Sequence, residues 1–155
     1  MSIDLRKEQI IQHGLEVLQQ IGANDICKVC IQSGNSCCRG CKDLKDGIGC
    51  QKRNTSCIAW LCGLQKFHLR EIGLLDEWES FWNQVPGQCY RRDETPDFVR
   101  LKSMMKTDHL SNKSGQIMAE RLKQYIEEGG DLEKLESYLY LDFEIRKNSG
   151  LKVVK

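Results

Sequence analysis

Eight of the nine cysteines in this 155-residue chain lie between residues 27 and 62, and only Cys89 stands apart. Cysteine that serves as a small core hydrophobe would be scattered along the chain. The stretch "CCRGCKDLKDGIGC", residues 37–50, is also rich in glycine and has no sustained apolar periodicity, so it predicts irregular chain. So many thiols in irregular chain indicate an inorganic core in place of a hydrophobic one.

Outside this segment, apolar residues recur at helical spacing, and no stretch alternates convincingly with period two. We therefore predict a mainly α fold, with residues 1–155 as a single helical domain, 27–62 as an irregular cysteine-rich metal-binding segment and 148–155 as a flexible tail. The chain between Pro86 and Pro96 is predicted to be a loop. Helices are predicted over 3–21, from Thr55 to 73, over 74–85, over 97–105 as a short one, over 114–130, and over 131–147 with Asp131 as its cap.

The composition is that of a soluble globular protein, with 40% hydrophobic and 29% charged residues and a net charge of +1. No apolar run approaches the roughly 20 residues that span a bilayer. The charged N-terminus, "MSIDLRKEQIIQHG", lacks the apolar core of a signal peptide, so we expect a cytoplasmic protein without membrane contact. Structural disulfides are rare in that compartment, and this favours metal as the reason for the thiols.

Two CxxC pairs, Cys27/Cys30 and Cys38/Cys41, are followed by Cys50, Cys57 and Cys62. Two residues between thiols let both sulfurs face one ion. Zinc ribbons set their pairs about 15–20 residues apart, whereas here only residues 31–37 separate the two pairs. No histidine lies within 27–62, so the mixed Cys/His zinc patterns are absent.

Four thiolates with unequal spacing suit a 4Fe–4S cluster, which takes Cys₄ ligation. We predict such a cluster on Cys38, Cys41, Cys50 and Cys57, with a structural, redox-sensing or electron-carrying role. Gly47 and Gly49 would let backbone amides approach its sulfurs, and Trp60 would shield one face. The alternate ligands, or a second site, are Cys27, Cys30, Cys37 and Cys62.

Two other functions are compatible with the sequence. One is a zinc-stapled helical interaction module, which binds a partner protein or a nucleic acid. Its support is the charge pattern, since residues 27–62 hold six basic and two acidic residues while residues 119–144 hold eight acidic and three basic ones. The other is a thiol enzyme with Cys62 as nucleophile, although no catalytic signature is found and His13, His68 and His109 are interpreted as ordinary histidines.

The segment "CKVC…CCRGCKDLKDGIGCQKRNTSCIAWLC" resembles the bacterial CxxCxxCC proteins, the YkgJ-like family of zinc- or iron-chelating proteins. The motif is an early cysteine group that ends in a CC pair, then a "C-x-x-L…G-C" element, then a cysteine in a short arginine-containing stretch. The matching positions are Cys37, Cys38, Cys41, Leu44, Gly49, Cys50, Arg53 and Cys57, over about a quarter of the chain. The resemblance implies metal chelation and names a class of cofactor more than a reaction.

Overall fold

The computed structural model describes residues 2–33, 44–45, 49–50, 55–89 and 92–148, and these residues confirm the mainly helical prediction. The helices are α1 (Lys7–Gln20), α2 (Ala23–Gln32), α3 (Thr55–Ala59), α4 (Gly63–Glu71), α5 (Leu75–Asn83), α6 (Lys113–Glu127) and α7 (Leu132–Asn148). The strands are β1 (Ile3–Arg6), β2 (Leu44–Lys45), β3 (Gly49–Cys50), β4 (Gln88–Cys89), β5 (Arg92–Asp93) and β6 (Phe98–Leu101). They pair as β1–β6, β2–β3 and β4–β5, all antiparallel.

The three predicted helices at 74–85, 114–130 and 131–147 are confirmed as α5, α6 and α7. Each carries apolar residues at spacings of three and four, the pattern that buries one face of a helix. Asp131 precedes α7 as predicted, and its Oδ1 accepts the backbone N–H of Lys134 at 3.1 Å. Of the predicted tail, only Asn148 lies within the described residues, where it ends α7.

The helix predicted to begin at residue 3 is wrong over residues 3–6, which form β1. The short helix predicted over 97–105 is wrong throughout, because residues 98–101 form β6 and residues 102–105 are not helical. Ile3 lies opposite Leu101, and Arg6 lies opposite Phe98. In β6, Val99 and Leu101 are buried while Phe98 and Arg100 face outward, so the strand does alternate over four residues. The pairing joins segments that are far apart in sequence, and a run this short does not reveal it.

The prediction of irregular chain from residue 27 is wrong over residues 27–32, because Cys27 and Cys30 lie on α2. This helix buries Ala23, Ile26 and Val29, which share one face at spacings of three. Gly22, with φ of 76°, lies between α1 and α2 and lets the chain change direction there.

The helix predicted from Thr55 to residue 73 is divided into α3 and α4. Residues 60–62 have non-helical backbone, and Cys62 adopts extended angles directly before α4. Cys62 therefore does not lie inside a helix, where the prediction placed it; it is the N-cap residue of α4.

Two apolar clusters hold the helices together. The first joins α1, α3, α5 and β6, with α4 contributing Leu69. The second joins α2, α4, α6 and α7, with α4 contributing Leu64. Because α4 supplies side chains to both clusters, it connects the two halves of the structure.

No helix among the described residues is long and apolar enough to cross a membrane.

Candidate functional site

Three of the predicted thiols lie close together where α2 meets the N-terminus of α4. Cys27 and Cys30 are one turn apart on α2, and Cys62 immediately precedes α4. Cys30 and Cys62 pack against the same apolar cluster, the second of the two. Each of these two thiols is also within electrostatic reach of Cys27. The fold therefore brings together thiols from two elements that are separated by more than thirty residues. We call Cys27, Cys30 and Cys62 the thiol junction.

Gln65, on the first turn of α4, connects α4 to α2 at the thiol junction. Its Nε2 donates to the backbone carbonyl of Ala23 at 3.0 Å and to Cys27 Sγ at 3.3 Å. Only 5% of the residue is exposed. Its Oε1 is buried and has no hydrogen-bond partner among the described residues. One polar side chain thus directs an N–H at a sulfur and leaves a buried acceptor beside it.

Glu136, on α7, contacts the start of α4 next to Cys62. Its Oε1 accepts the backbone N–H of Gly63 at 2.9 Å, which satisfies one of the free donors at the start of α4. A Cβ atom on Gly63 would collide with the carbonyl oxygen of Glu136 and would lie 2.6 Å from the backbone nitrogen of Tyr140. Glycine at position 63 therefore allows α7 to lie close to the N-terminus of α4.

The surroundings of the thiol junction disfavour free thiolates. Burial raises the pKa of Cys30 to about 11, with further contributions from Cys27 and Glu136. Cys62 keeps some exposed surface but is densely surrounded by protein, and this burial raises its pKa to about 12. The backbone N–H of Gln65 acts in the opposite direction, while Cys27, Cys30 and Glu136 add to the rise. A neutral thiol is a poor nucleophile, so these surroundings do not suit the hypothesis of Cys62 as a catalytic nucleophile.

The four thiols predicted for the cluster are only partly covered by the structure. Cys38 and Cys41 lie outside the described residues, as do Cys37 and Gly47. Cys50 pairs with Leu44 between strands β2 and β3, and Cys57 is a half-buried thiol on α3 that is not in a disulfide. The cluster set stays a prediction.

Within the part of the chain that is described, no group of three or more His, Cys, Asp or Glu side chains is arranged to hold a metal ion. The described thiols Cys27, Cys30, Cys57 and Cys62 are not in disulfides.

Trp60 and the three histidines each contact another residue of the fold. Trp60, predicted to shield a cluster, is 40% exposed and lies against Tyr140 of α7, with ring centroids 5.9 Å apart. His13 Nε2 accepts the backbone N–H of Met105 at 3.2 Å, and His68 Nε2 lies 2.8 Å from the carbonyl oxygen of Ile21. His109 is exposed beside Asp108.

Sequence reasoning missed Gln65 and Glu136. Gln65 had a weak signal, since it lies beside Leu64 and one turn before His68 and Leu69, all of them buried positions of α4. Glu136 had none, because nothing in the sequence connects it to a cysteine more than seventy residues earlier.

No protein-family model, curated protein or solved structure matches this chain. The resemblance to the YkgJ-like proteins therefore depends on the cysteine motif alone.

Proposed function

We propose that this protein binds a metal through cysteine thiolates in the reducing environment of the cytoplasm. The preferred form is an iron–sulfur cluster of the 4Fe–4S type on Cys38, Cys41, Cys50 and Cys57, with the other thiols of residues 27–62 as alternates or a second site. The observation that carries the proposal is the thiol junction. Its thiols come from α2 and from the residue before α4, and in sequence they lie on either side of Cys37, Cys38, Cys41, Cys50 and Cys57.

The contacts around the thiol junction are of the kind that metal thiolates need. Sulfur ligands are stabilised by N–H donors around them, and such donors tune the properties of the bound metal. Gln65 Nε2 supplies one donor to Cys27 Sγ. The positive end of the α4 dipole lies at Cys62 and favours negative charge there. An inert buried thiol requires neither contact.

The first test is the visible absorption spectrum of protein purified without oxygen, with iron, sulfide and zinc measured on the same sample. We expect a brown protein with matching iron and sulfide and an absorption band that bleaches on reduction, as for a cluster held by Cys₄. Protein that contains no iron, no sulfide and no zinc, even after anaerobic reconstitution, would contradict the proposal.

Serine substitutions test the predicted ligands. Cys41→Ser or Cys50→Ser should abolish cluster binding and lower the thermal unfolding temperature, because metal binding at such sites contributes about 10 kcal/mol or more to folding. Cys89→Ser is the control, and it should leave the metal content unchanged. Full metal stoichiometry in the Cys41 variant would remove Cys41 from the ligand set.

A zinc-stapled interaction module is the second candidate, and one observation favours it. The outer face of α7 exposes Tyr138, Leu141 and Ile145, with relative exposures of 68%, 59% and 64%. Their spacings of three and four place them along one stripe, as on a helix that binds another protein. This function predicts colourless protein with stoichiometric zinc that does not respond to dithionite. The metal analysis described above therefore distinguishes the two candidates.

A further inference from the structure

A carboxylate lies beside the thiol junction. The Oε1 of Glu136 accepts the backbone N–H of Gly63 at 2.9 Å, one residue after Cys62. Cys27 completes the set from α2, one turn before Cys30. Three elements, α2, the start of α4 and α7, therefore contribute three sulfur donors and one carboxylate to one region.

A second observation is a buried polar atom without a partner in the side chain that contacts Cys27. The Gln65 amide is oriented by its two donor contacts, to Ala23 O and Cys27 Sγ, so the position of its Oε1 is determined as well. That oxygen is buried and lacks a partner among the described residues. A buried amide oxygen without a partner is unfavourable, and native structures leave few of them.

We propose that Cys27, Cys30, Cys62 and Glu136 form a mononuclear site for one thiophilic divalent cation of the zinc class, separate from the predicted cluster ligands. This inference rests on the proposed function and assigns one part of it. Zinc takes four ligands in a tetrahedron and accepts both thiolate sulfur and carboxylate oxygen. A 4Fe–4S cluster takes four thiolates, one more than the thiol junction provides.

Binding of the cation would draw the donors together from their present positions around the junction. The three thiols lose their protons when they ligate, and the cation balances the charge that makes free thiolates unfavourable there. The N-terminus of α4 offsets part of the remaining negative charge. Glu136 keeps its contact with Gly63 through one oxygen and has its second oxygen for the metal.

The test is a zinc titration of metal-free protein, with affinity measured by competition against a chromophoric chelator and stoichiometry by native mass spectrometry. The double variant Cys41→Ser, Cys50→Ser should still bind one zinc ion, because its substitutions lie outside this site. Cys62→Ser should lose that ion. Glu136→Gln should weaken zinc binding at least 10- to 100-fold, because it removes a charged ligand and that range already applies to the loss of a group that only supports a ligand.

Glu136→Gln is chosen because glutamine keeps an oxygen that can accept the Gly63 N–H, so it removes the charge and preserves the cap. Glu144→Gln is the matched control on the same helix, where Glu144 pairs with Lys66 at 3.3 Å. It should leave zinc affinity unchanged. Both metal-free variants should have the helical circular dichroism of the wild type.

The outcomes separate this inference from the proposed function. Wild-type protein that binds an iron–sulfur cluster but no zinc would keep the proposed function and overturn the separate site. The same holds if zinc is lost in the Cys41/Cys50 double variant and retained in Cys62→Ser, or if Glu136→Gln binds zinc as tightly as Glu144→Gln. Wild-type protein that binds neither metal would overturn both.

Discussion

At the scale of single residues, His13 and His68 have opposite hydrogen-bonding roles. His13 Nε2 accepts the N–H of Met105, so the proton of its neutral ring is on Nδ1. His68 Nε2 faces the carbonyl of Ile21 and must donate, so its proton is on Nε2. Burial lowers the pKa of both histidines below the usual 6.5; Glu16 partly opposes this at His13, and the Ile21 carbonyl does so at His68.

These pKa directions predict sensitivity to acid. A histidine with a lowered pKa in the folded chain binds fewer protons than in the unfolded chain, so its contribution to stability is complete above pH 6.5 and is lost as pH falls through the lowered pKa. Protonation of His13 also removes the acceptor for Met105 N–H. We expect the free energy of unfolding, measured in urea, to fall between pH 7 and pH 5.

His13→Gln tests the contribution of this residue, since glutamine keeps an acceptor but does not titrate. The variant should lose less stability than the wild type over the same pH range. His109→Gln is the control, because His109 is exposed. Identical pH dependence in the wild type and in His13→Gln would contradict the role of His13.

The cysteine pKa values predict slow alkylation in the folded, metal-free protein. A pKa of about 12 at Cys62, against 9.0 for a free thiol, lowers the reactive thiolate fraction near neutral pH about 1,000-fold. Iodoacetamide labelling followed by peptide mass spectrometry should show Cys62 modified far more slowly in the folded chain than in urea. Equal rates in the two states would mean that the surroundings of the thiol do not protect it.

At the scale of the elements, α2 and α6 approach each other through two glycines. Gly22 and Gly115 are in backbone contact, because a Cβ atom on Gly115 would lie 2.5 Å from Gly22 Cα, and one on Gly22 would lie 2.7 Å from Asn112 O. Backbones this close exclude any side chain. The contact fixes the start of α6 against the start of α2, which carries Cys27 and Cys30.

Gly115→Ala should therefore lower the free energy of unfolding by about 1–3 kcal/mol, the usual cost of overpacking. The sign is informative, because alanine in an exposed helix would instead stabilise by about 1 kcal/mol relative to glycine. Gln116→Ala, at the exposed neighbouring position, is the control and should be near neutral. A stabilised Gly115→Ala protein, measured by urea unfolding, would contradict the close contact.

The elements also show how far the sequence predicts this fold. Long amphipathic stretches such as α6 were predicted well, since each reveals its buried face by its own periodicity. The β1–β6 pair was missed because Ile3 and Leu101 meet only in the folded chain. The whole of α2 was missed because the cysteines were assigned to irregular chain, although Ile26 and Val29 lie on one helical face.

At the scale of the whole molecule, the candidate site depends on both apolar clusters. The thiol junction lies on the second cluster, while Leu69 anchors α4 in the first. The cysteine segment alone predicted which residues carry thiols. It did not predict that Glu136 joins them, because that depends on how α7 packs on α4, a contact that no local pattern encodes.

The glycine at position 63 has a consequence for how the protein is made. A ribosome releases Cys27, Cys30 and Cys62 well before Glu136, so the nascent chain presents three thiols while the place of α7 is still empty. Because Gly63 has no side chain, it leaves room at the N-terminus of α4 for α7, which is translated later. An ion that binds before α7 is translated would therefore meet only the three thiols, and α7 would bring the carboxylate of Glu136 to it afterwards.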